Sequence, residues 1–183
     1  MQIPKLETPR LILREFCEAD LDAYAEMSAD PDVMRYIGRG NTRSREEAWR
    51  GMATMLGHWK LRGYGMWAVE ERHTNVLVGR VGFLNPEGWL GFELGWMIRR
   101  AFWGQGYATE GAKAATQYGF EVLNQPHIIS LIRPANLASR RVAEKIGETV
   151  EGTAEVMGSE AVIYGIDRDR WDAINPKIKD AGT

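Results

Sequence analysis

The spacing of apolar residues changes repeatedly along the chain, and each change marks the boundary of a predicted element. Short apolar runs bounded by turn residues predict strands. These runs lie at Leu11–Arg14, Met66–Glu71, Val76–Leu84, 91–98, 128–132, Thr149–Val156 and 161–167. Apolar residues that recur every three or four positions predict helices. Helical spacing is found at 18–29, from Pro31, after Ser44, at 107–122 and at 138–146.

The helix after Ser44 carries the most complete local signals. Ser44 and Glu47 fit a capping box, in which each side chain bonds the backbone amide of the other residue. Gly63 follows as a helix-ending residue. The positions expected to form its buried stripe are Trp49, Met52, Leu56 and Trp59.

Turn residues at 72–75 and 85–88 join three consecutive strands into an antiparallel meander. The remaining strands alternate with helices or form a hairpin. This order predicts an α+β fold, called α/β in some schemes, with a mixed and mostly antiparallel central sheet. At 183 residues the chain fits one domain, which we place at residues 1–174, with a tail at 175–183.

Composition narrows the class of protein. The net charge of −2 favours neither a nucleic-acid partner nor a membrane surface. No apolar run approaches the ~18 residues of a membrane span, and the first residues show no signal-peptide pattern. Cys17 is the single cysteine, so no internal disulfide can form. We expect a cytoplasmic protein, either a monomer or a homodimer.

The segment most suggestive of chemistry joins a strand to a helix through Gly104 and Gly106. Glycines let backbone amides converge, and a helix start adds unpaired amides and the positive end of a dipole. Such a turn suits a pyrophosphate, although a plain helix entry would show the same residues. A nucleotide-binding protein is a weaker alternative, because the segment lacks the Gly-Lys-Ser/Thr of a P-loop and has Thr109 where a dinucleotide fingerprint needs glycine.

The run Phe-Trp-Gly-Gln-Gly-Tyr-Ala-Thr-Glu at 102–110 resembles motif A of the GNAT acetyltransferase superfamily, in the form found in its RimJ/RimL-like branch. Segments at 8–14, 91–96, 134–147 and 167–171 resemble further blocks of that branch, in the same order. The resemblance implies a GNAT-like sheet with helices on both faces. The chain departs from the pattern at Trp103, the first position of the general motif, and at Glu148, where the family usually has Phe.

The resemblance also implies how acetyl-coenzyme A is bound. Backbone amides of Gln105, Gly106, Tyr107, Ala108 and Thr109 would hold its pyrophosphate. Backbone groups of Met97 and Ile98 would pair with the pantetheine amides, as a strand edge accepts a guest strand. The side chain of Ile98 fits an ordinary core position equally well.

Three residues beyond motif A complete the implied site. Asn136 would bond the pantetheine arm, Ser139 would donate a proton to the leaving thiolate, and Arg140 would meet a phosphate. From the sequence alone, Asn136 is equally a helix N-cap, Ser139 a first-turn residue and Arg140 a solvated charge.

Glu93 is the candidate general base, since it lies in a short apolar run with glycines, where burial would raise its pKa. The alternative is an exposed position on a two-sided strand. The histidines are too scattered to predict a metal site. Together these features predict an N-acetyltransferase that moves the acetyl group to a primary amine, including the N-terminal amine of a ribosomal protein or a small-molecule amine. A non-catalytic acyl-coenzyme A-binding regulatory module remains the alternative.

Overall fold

A single eight-stranded sheet forms the centre of the computed structural model, which describes residues 2–176. The strands are β1 Leu6–Glu7, β2 Leu11–Arg14, β3 Met66–Glu71, β4 Val76–Leu84, β5 Glu93–Ile98, β6 His127–Ile132, β7 Thr149–Val156 and β8 Ser159–Asp167. Their spatial order is β1-β2-β3-β4-β5-β6-β8-β7. Every neighbouring pair is antiparallel except β5 and β6, which run parallel.

Within residues 2–176, six α-helices cover the two faces of this sheet. They are α1 Leu21–Ala29, α2 Pro31–Met34, α3 Arg45–Arg62, α4 Tyr107–Glu121, α5 Leu137–Ile146 and α6 Arg168–Ile174. Side chains of successive strand residues enter opposite cores, as the pleat requires. In β3, Trp67 joins the core beneath α4, whereas Met66 and Ala68 join the core beneath α1 and α3. This mixed sheet with helices on both faces confirms the predicted fold.

Local signals set the helix boundaries as predicted. Ser44 and Glu47 form the reciprocal capping box at the start of α3, and Gly63 ends that helix with a left-handed φ of 78°. Gly147 ends α5 in the same way, with a φ of 97°. The predicted stripe of α3 is wrong at Trp49, which is 49% exposed. Ala48 is buried instead, one residue earlier around the helix.

Several short elements were missed by the periodicity, among them β1, α6 and a 3-10 turn at Arg100–Phe102. β1 has only two residues, too few to show a pattern. The helix predicted at 18–29 begins with a 3-10 turn at Glu18–Asp20 before α1. Most of the predicted tail, from residue 177 onward, lies outside the described residues. Within residues 2–176, no helix is both long and apolar enough to cross a bilayer.

Candidate active site

The parallel strands β5 and β6 separate almost as soon as they meet. They pair at one position, Glu93 with Ile129, where the Ile129 amide donates to the Phe92 carbonyl at 3.0 Å. One step further along β5, the Leu94 carbonyl accepts its hydrogen bond from the Ser130 hydroxyl at 2.9 Å rather than from a backbone amide. The remainder of β5 therefore borders a gap in the middle of the sheet, which we call the strand gap.

Alternation along β5 decides which backbone groups face the strand gap. The Arg99 amide donates to the Val78 carbonyl of β4 at 2.8 Å. In an antiparallel pair, every second residue directs its backbone groups to the same neighbour. Met97 therefore faces β4, whereas Trp96 and Ile98 face the strand gap. The register therefore favours the backbone groups of Trp96, rather than those predicted at Met97, as the ones that border the strand gap, while Met97 itself still lines the cleft described below.

The turn before α4 holds two left-handed glycines, Gly104 with a φ of 77° and Gly106 with a φ of 82°. A side chain at Gly104 would meet nothing within 4 Å, so the surface over the turn is open. Among residues 2–176, no backbone carbonyl accepts from the amides of Gln105, Gly106, Tyr107, Ala108 or Thr109. Five unpaired donors at a helix start form a concave site for an anion.

Arg10 and Trp103 hold this turn in place. The Arg10 guanidinium donates to the Gln105 carbonyl at 2.9 Å and lies over the Tyr107 ring at 4.6 Å. The Trp103 indole donates to the Ile98 carbonyl at 2.7 Å, which ties the turn to the end of β5. The tryptophan that departs from the general motif is thus a structural brace at the mouth of the strand gap.

Arg140, predicted to meet a phosphate, points elsewhere. Its guanidinium donates to the Tyr164 hydroxyl at 2.9 Å, and it lines neither of the cavities described below. The cations that line the cleft at the open turn are Arg141 and Lys145, which lie one helical turn apart on α5, and Arg35, which pairs with Asp32. Adjacent helical residues point about 100° apart, so Arg141 lines the cleft whereas the predicted Arg140 does not.

Asn136 and Ser139 begin α5 and border the strand gap. The Asn136 side-chain oxygen accepts from the Ser139 amide at 3.1 Å, so Asn136 is an N-cap, as its residue type suggested. The Trp96 indole donates to the Ser139 hydroxyl oxygen at 3.2 Å. Since that oxygen is already an acceptor, its own proton is free to be donated into the cleft.

Two adjoining cavities lie along this arrangement. The outer cleft, of about 440 Å³, runs from the glycine turn past β5 to α5. The inner cavity, of about 200 Å³, lies on the other side of Trp96 and contains Glu93. They share the walls formed by Tyr36, Ile37, Trp96, Asn136 and Ser139. A long ligand at the glycine turn could therefore extend to Glu93.

Glu93 is a half-buried carboxyl at the floor of the inner cavity. Burial raises its pKa to about 7, against the lowering effects of the Trp89 indole, the Arg80 charge and the Leu131 amide. The Trp89 indole donates to its Oε2 at 2.7 Å. A carboxyl with this pKa is half ionised near neutral pH, which suits a general base.

Glu148 is a second buried carboxyl, 2% exposed, at the point where β5 and β6 part. Its Oε1 lies 2.9 Å from the Ser130 hydroxyl, while its Oε2 has no partner among residues 2–176. Burial raises its pKa to about 8, and the charges of Glu151 and Glu93 add to the rise. As a neutral acid, Glu148 donates to Ser130, which in turn donates to the Leu94 carbonyl.

Sequence reasoning found the contiguous parts of this site and missed those assembled by the sheet. Trp96 and Trp89 carried an available signal, since both lie in the apolar run around Glu93. Arg80 carried no such signal in the sequence, because an arginine within a long apolar strand is recognised as a cavity residue only once its neighbours in space are known. Among residues 2–176, no group of three or more His, Cys, Asp or Glu side chains is placed to hold a metal ion.

Comparisons with known proteins agree with this geometry. A family model described as an acetyltransferase (GNAT) domain matches residues 10–149. The chain is 33% identical over 147 residues to the uncharacterized N-acetyltransferase YnaD of Bacillus subtilis, a match covering 80% of this chain and 84% of that protein. An acetyltransferase structure from Agrobacterium tumefaciens is similar, with a TM-score of 0.81, 31% identity, and coverage of 92% of this chain and 96% of that one.

The structure of RimL, a ribosomal L7/L12 alpha-N-protein acetyltransferase in complex with coenzyme A, is similar in fold. Its TM-score is 0.76 at 19% identity, with 91% of this chain and 99% of that chain covered. At this identity the likeness concerns the fold and leaves the branch undecided. The match of the family model over most of the sequence shows that this chain belongs to the GNAT acetyltransferase family.

Proposed function

We propose that the protein transfers the acetyl group of acetyl-coenzyme A directly to a primary amine. The observation that carries this proposal is the position of Glu93. Its carboxyl, with a pKa raised to about 7, lies in an inner cavity that adjoins a cleft ending at five unpaired backbone amides. An anion-binding turn at one end would hold the diphosphate of the cofactor, and a carboxyl base at the other end would face the acceptor amine.

The residues present fit the shape and charge of coenzyme A. The amides of residues 105–109 would hold its diphosphate, as helix starts commonly do. Arg141 and Lys145 would meet the remaining phosphate charge at the rim. Backbone groups of Trp96 and Ile98 would pair with the pantetheine arm in the strand gap, and the free Asn136 side-chain N–H groups would add a donor.

Residues at the junction of the two cavities would carry the chemistry. The amine nitrogen attacks the thioester carbon, forming the N–C bond, and the C–S bond breaks as the thiolate leaves. Glu93 accepts the proton that the amine loses, and the Ser139 hydroxyl donates a proton to the sulfur and regains one from solvent. Positioning of the two reactants lowers the barrier further.

A single carboxyl base favours an amine that is easily neutralised. At pH 7 a peptide α-amine with a pKa near ~7.8 costs about 1 kcal/mol to deprotonate, whereas lysine near ~10.4 costs about 4.6 kcal/mol. We therefore extend the proposal to α-amines, including protein N-termini in the manner of the RimJ/RimL-like branch, in the cytoplasm.

The test measures free thiol released from acetyl-coenzyme A across a panel of small amines and N-terminal peptides. We expect wild-type turnover to rise as pH increases through about 7, where Glu93 ionises. Glu93→Gln should lose this inflection and about 10²-fold of activity or more at neutral pH. Tight acetyl-coenzyme A binding without thiol release for any acceptor would instead identify a non-catalytic binding module.

A further inference from the structure

The inner cavity carries more positive charge than the proposed reaction requires. Three arginines line it, Arg43, Arg80 and Arg133, and Glu93 is the only acidic residue among its lining residues. Even with Glu93 ionised, the lining therefore keeps an excess of positive charge. A cavity meant for a plain ammonium ion would repel its ligand under these conditions.

Arg80 is the least satisfied of the three. It is half-buried, its Nε is fully buried without a hydrogen-bond partner, and its guanidinium forms no hydrogen bond with any of residues 2–176. A buried donor without an acceptor costs free energy unless a ligand supplies one. The Arg80 charge acts on Glu93, whose pKa is nevertheless raised, so burial outweighs this attraction.

Arg43 also lacks a hydrogen-bond partner for its guanidinium, whereas Arg133 already donates hydrogen bonds. Arg43 is half-buried, and its guanidinium has no ion pair or hydrogen bond within the described part of the chain. Arg133 donates to the Gly38 carbonyl at 2.7 Å and to the Glu160 carbonyl at 3.3 Å, both neutral acceptors. Neither free guanidinium group forms an ion pair within the described chain; the carboxylates whose pKa values they lower are Glu93 for Arg80 and the exposed Glu47 for Arg43.

Register places Arg80 and Glu93 on one face of the sheet. Arg80 pairs with Met97 and Leu84 with Glu93 on the neighbouring strand, so all four side chains share a face. Four residue steps along the strand separate the two levels, or about 13 Å between their Cα atoms. Both side chains line the cavity, and the Arg80 charge is close enough to lower the pKa of Glu93.

We propose that the acceptor is an amine that also carries an anionic group, a carboxylate or phosphate, held by Arg80 with Arg43 while its amine faces Glu93. This inference rests on the proposed function and names the acceptor class for that site. A small acidic amine and an N-terminus with an acidic first residue present the same chemistry. Polycationic amines are poor acceptors, because they meet like charge on entry.

Matched acceptor pairs test the proposal, since they differ only in the anion. L-isoglutamine and L-glutamine amide have the same α-amine environment, with a side-chain carboxylate or carboxamide. Short peptides beginning with Glu or Gln form the second pair. We expect wild-type kcat/KM to favour the acidic member by about 10-fold to 100-fold, as expected for a hydrogen bond to a charged group. The pair that shows the larger ratio identifies the small amine or the N-terminus as the source.

The variant Arg80→Gln should bring that ratio close to one, and Arg80→Lys should restore part of it. Arg50→Gln is the matched control, because Arg50 is exposed on α3 and paired with Glu46, and it should keep the wild-type ratio. Circular dichroism verifies that each variant is folded. A wild-type ratio near one, or a ratio that persists in folded Arg80→Gln, overturns the proposal.

Calorimetric binding of the same pairs in the presence of coenzyme A separates this inference from the proposed function. Selective binding of the acidic member, lost in Arg80→Gln, without thiol release would support the anion site while refuting the enzyme. Thiol release from neutral and acidic acceptors at equal rates would support the enzyme and refute the anion site. Neither binding nor release for any pair would overturn both.

Discussion

Replacing Glu148 with glutamine should stabilise the protein at neutral pH. The carboxyl is 2% exposed, and its Oε2 has no partner among the described residues. Glutamine has nearly the same shape and is neutral at every pH. Its side-chain N–H can donate to the Ser130 hydroxyl, as the protonated carboxyl does, so the bond from Ser130 to the Leu94 carbonyl is kept.

The size of the effect follows from the pKa of Glu148, which folding raises from 4.5 to about 8. Below 4.5 both the folded and the unfolded states hold the proton, so the residue does not affect stability. Between these values only the unfolded state releases it, so stability falls as pH rises. The accumulated cost is about 3 kcal/mol at pH 7 and about 5 kcal/mol above pH 8, as upper limits.

Thermal unfolding from about pH 4 to about pH 9 measures this difference, and 3 kcal/mol corresponds to roughly 6–12 °C in Tm for a chain of this size. Glu148→Gln should match the wild type at the acidic end and exceed it increasingly at higher pH. Glu155→Gln, on the exposed side of β7, is the control and should follow the wild-type curve. A Glu148→Gln curve parallel to the wild type would refute the assignment of a buried neutral acid.

Three further variants test the mouth of the cleft and its support. Gly106→Val should weaken coenzyme A binding in calorimetry by about 10-fold or more. Gly158→Val is its control, because Gly158 has a similar φ of 78°; it should carry the same ~1–2 kcal/mol of backbone strain but keep the wild-type affinity. Equal affinities of the two variants would contradict the assignment of the glycine turn to the phosphates. Trp103→Phe, which removes the donor to Ile98, should raise the coenzyme A Kd about 3-fold to 10-fold, and an unchanged Kd would show that the brace does not matter. Glu110 forms an ion pair with Arg10, with 2.6 Å between Nη2 and Oε2, so Glu110→Gln should cost about 1–3 kcal/mol in urea unfolding at neutral pH. Since the pKa of Glu110 is lowered, this cost should vanish as pH falls through the folded-state pKa, and a constant difference would contradict the role of the ion pair.

Local residue patterns were sufficient for most of the fold. Capping residues and left-handed glycines act over a few neighbouring positions, so Ser44, Gly63 and Gly147 marked helix ends that the structure has. Trp49 was placed on the wrong side because hydrophobicity alone does not give the phase of a helix. The pairing order of the strands outside the meander was not predicted, since it depends on contacts distant in sequence.

The site predictions at Met97 and Arg140 differ from the structure for one physical reason: in each case it is the neighbouring residue whose relevant group faces the cleft. A strand alternates every residue, so Met97 and its neighbour Trp96 present backbone groups to opposite strands. On α5, one residue step separates Arg140, bonded to Tyr164, from Arg141 at the cleft. The glycine turn escaped this problem because its donors are consecutive amides, whose direction follows from the helix start itself.

The most direct measurement of the central claim is a titration of the backbone amides followed by two-dimensional ¹⁵N–¹H NMR. Coenzyme A should shift the amide signals of residues 105–109, whereas pantetheine, which lacks the diphosphate, should shift signals along the strand gap at Trp96 and Ile98 but leave 105–109 in place. If coenzyme A binds and these five amides do not respond, the diphosphate lies elsewhere and the account of this site is wrong.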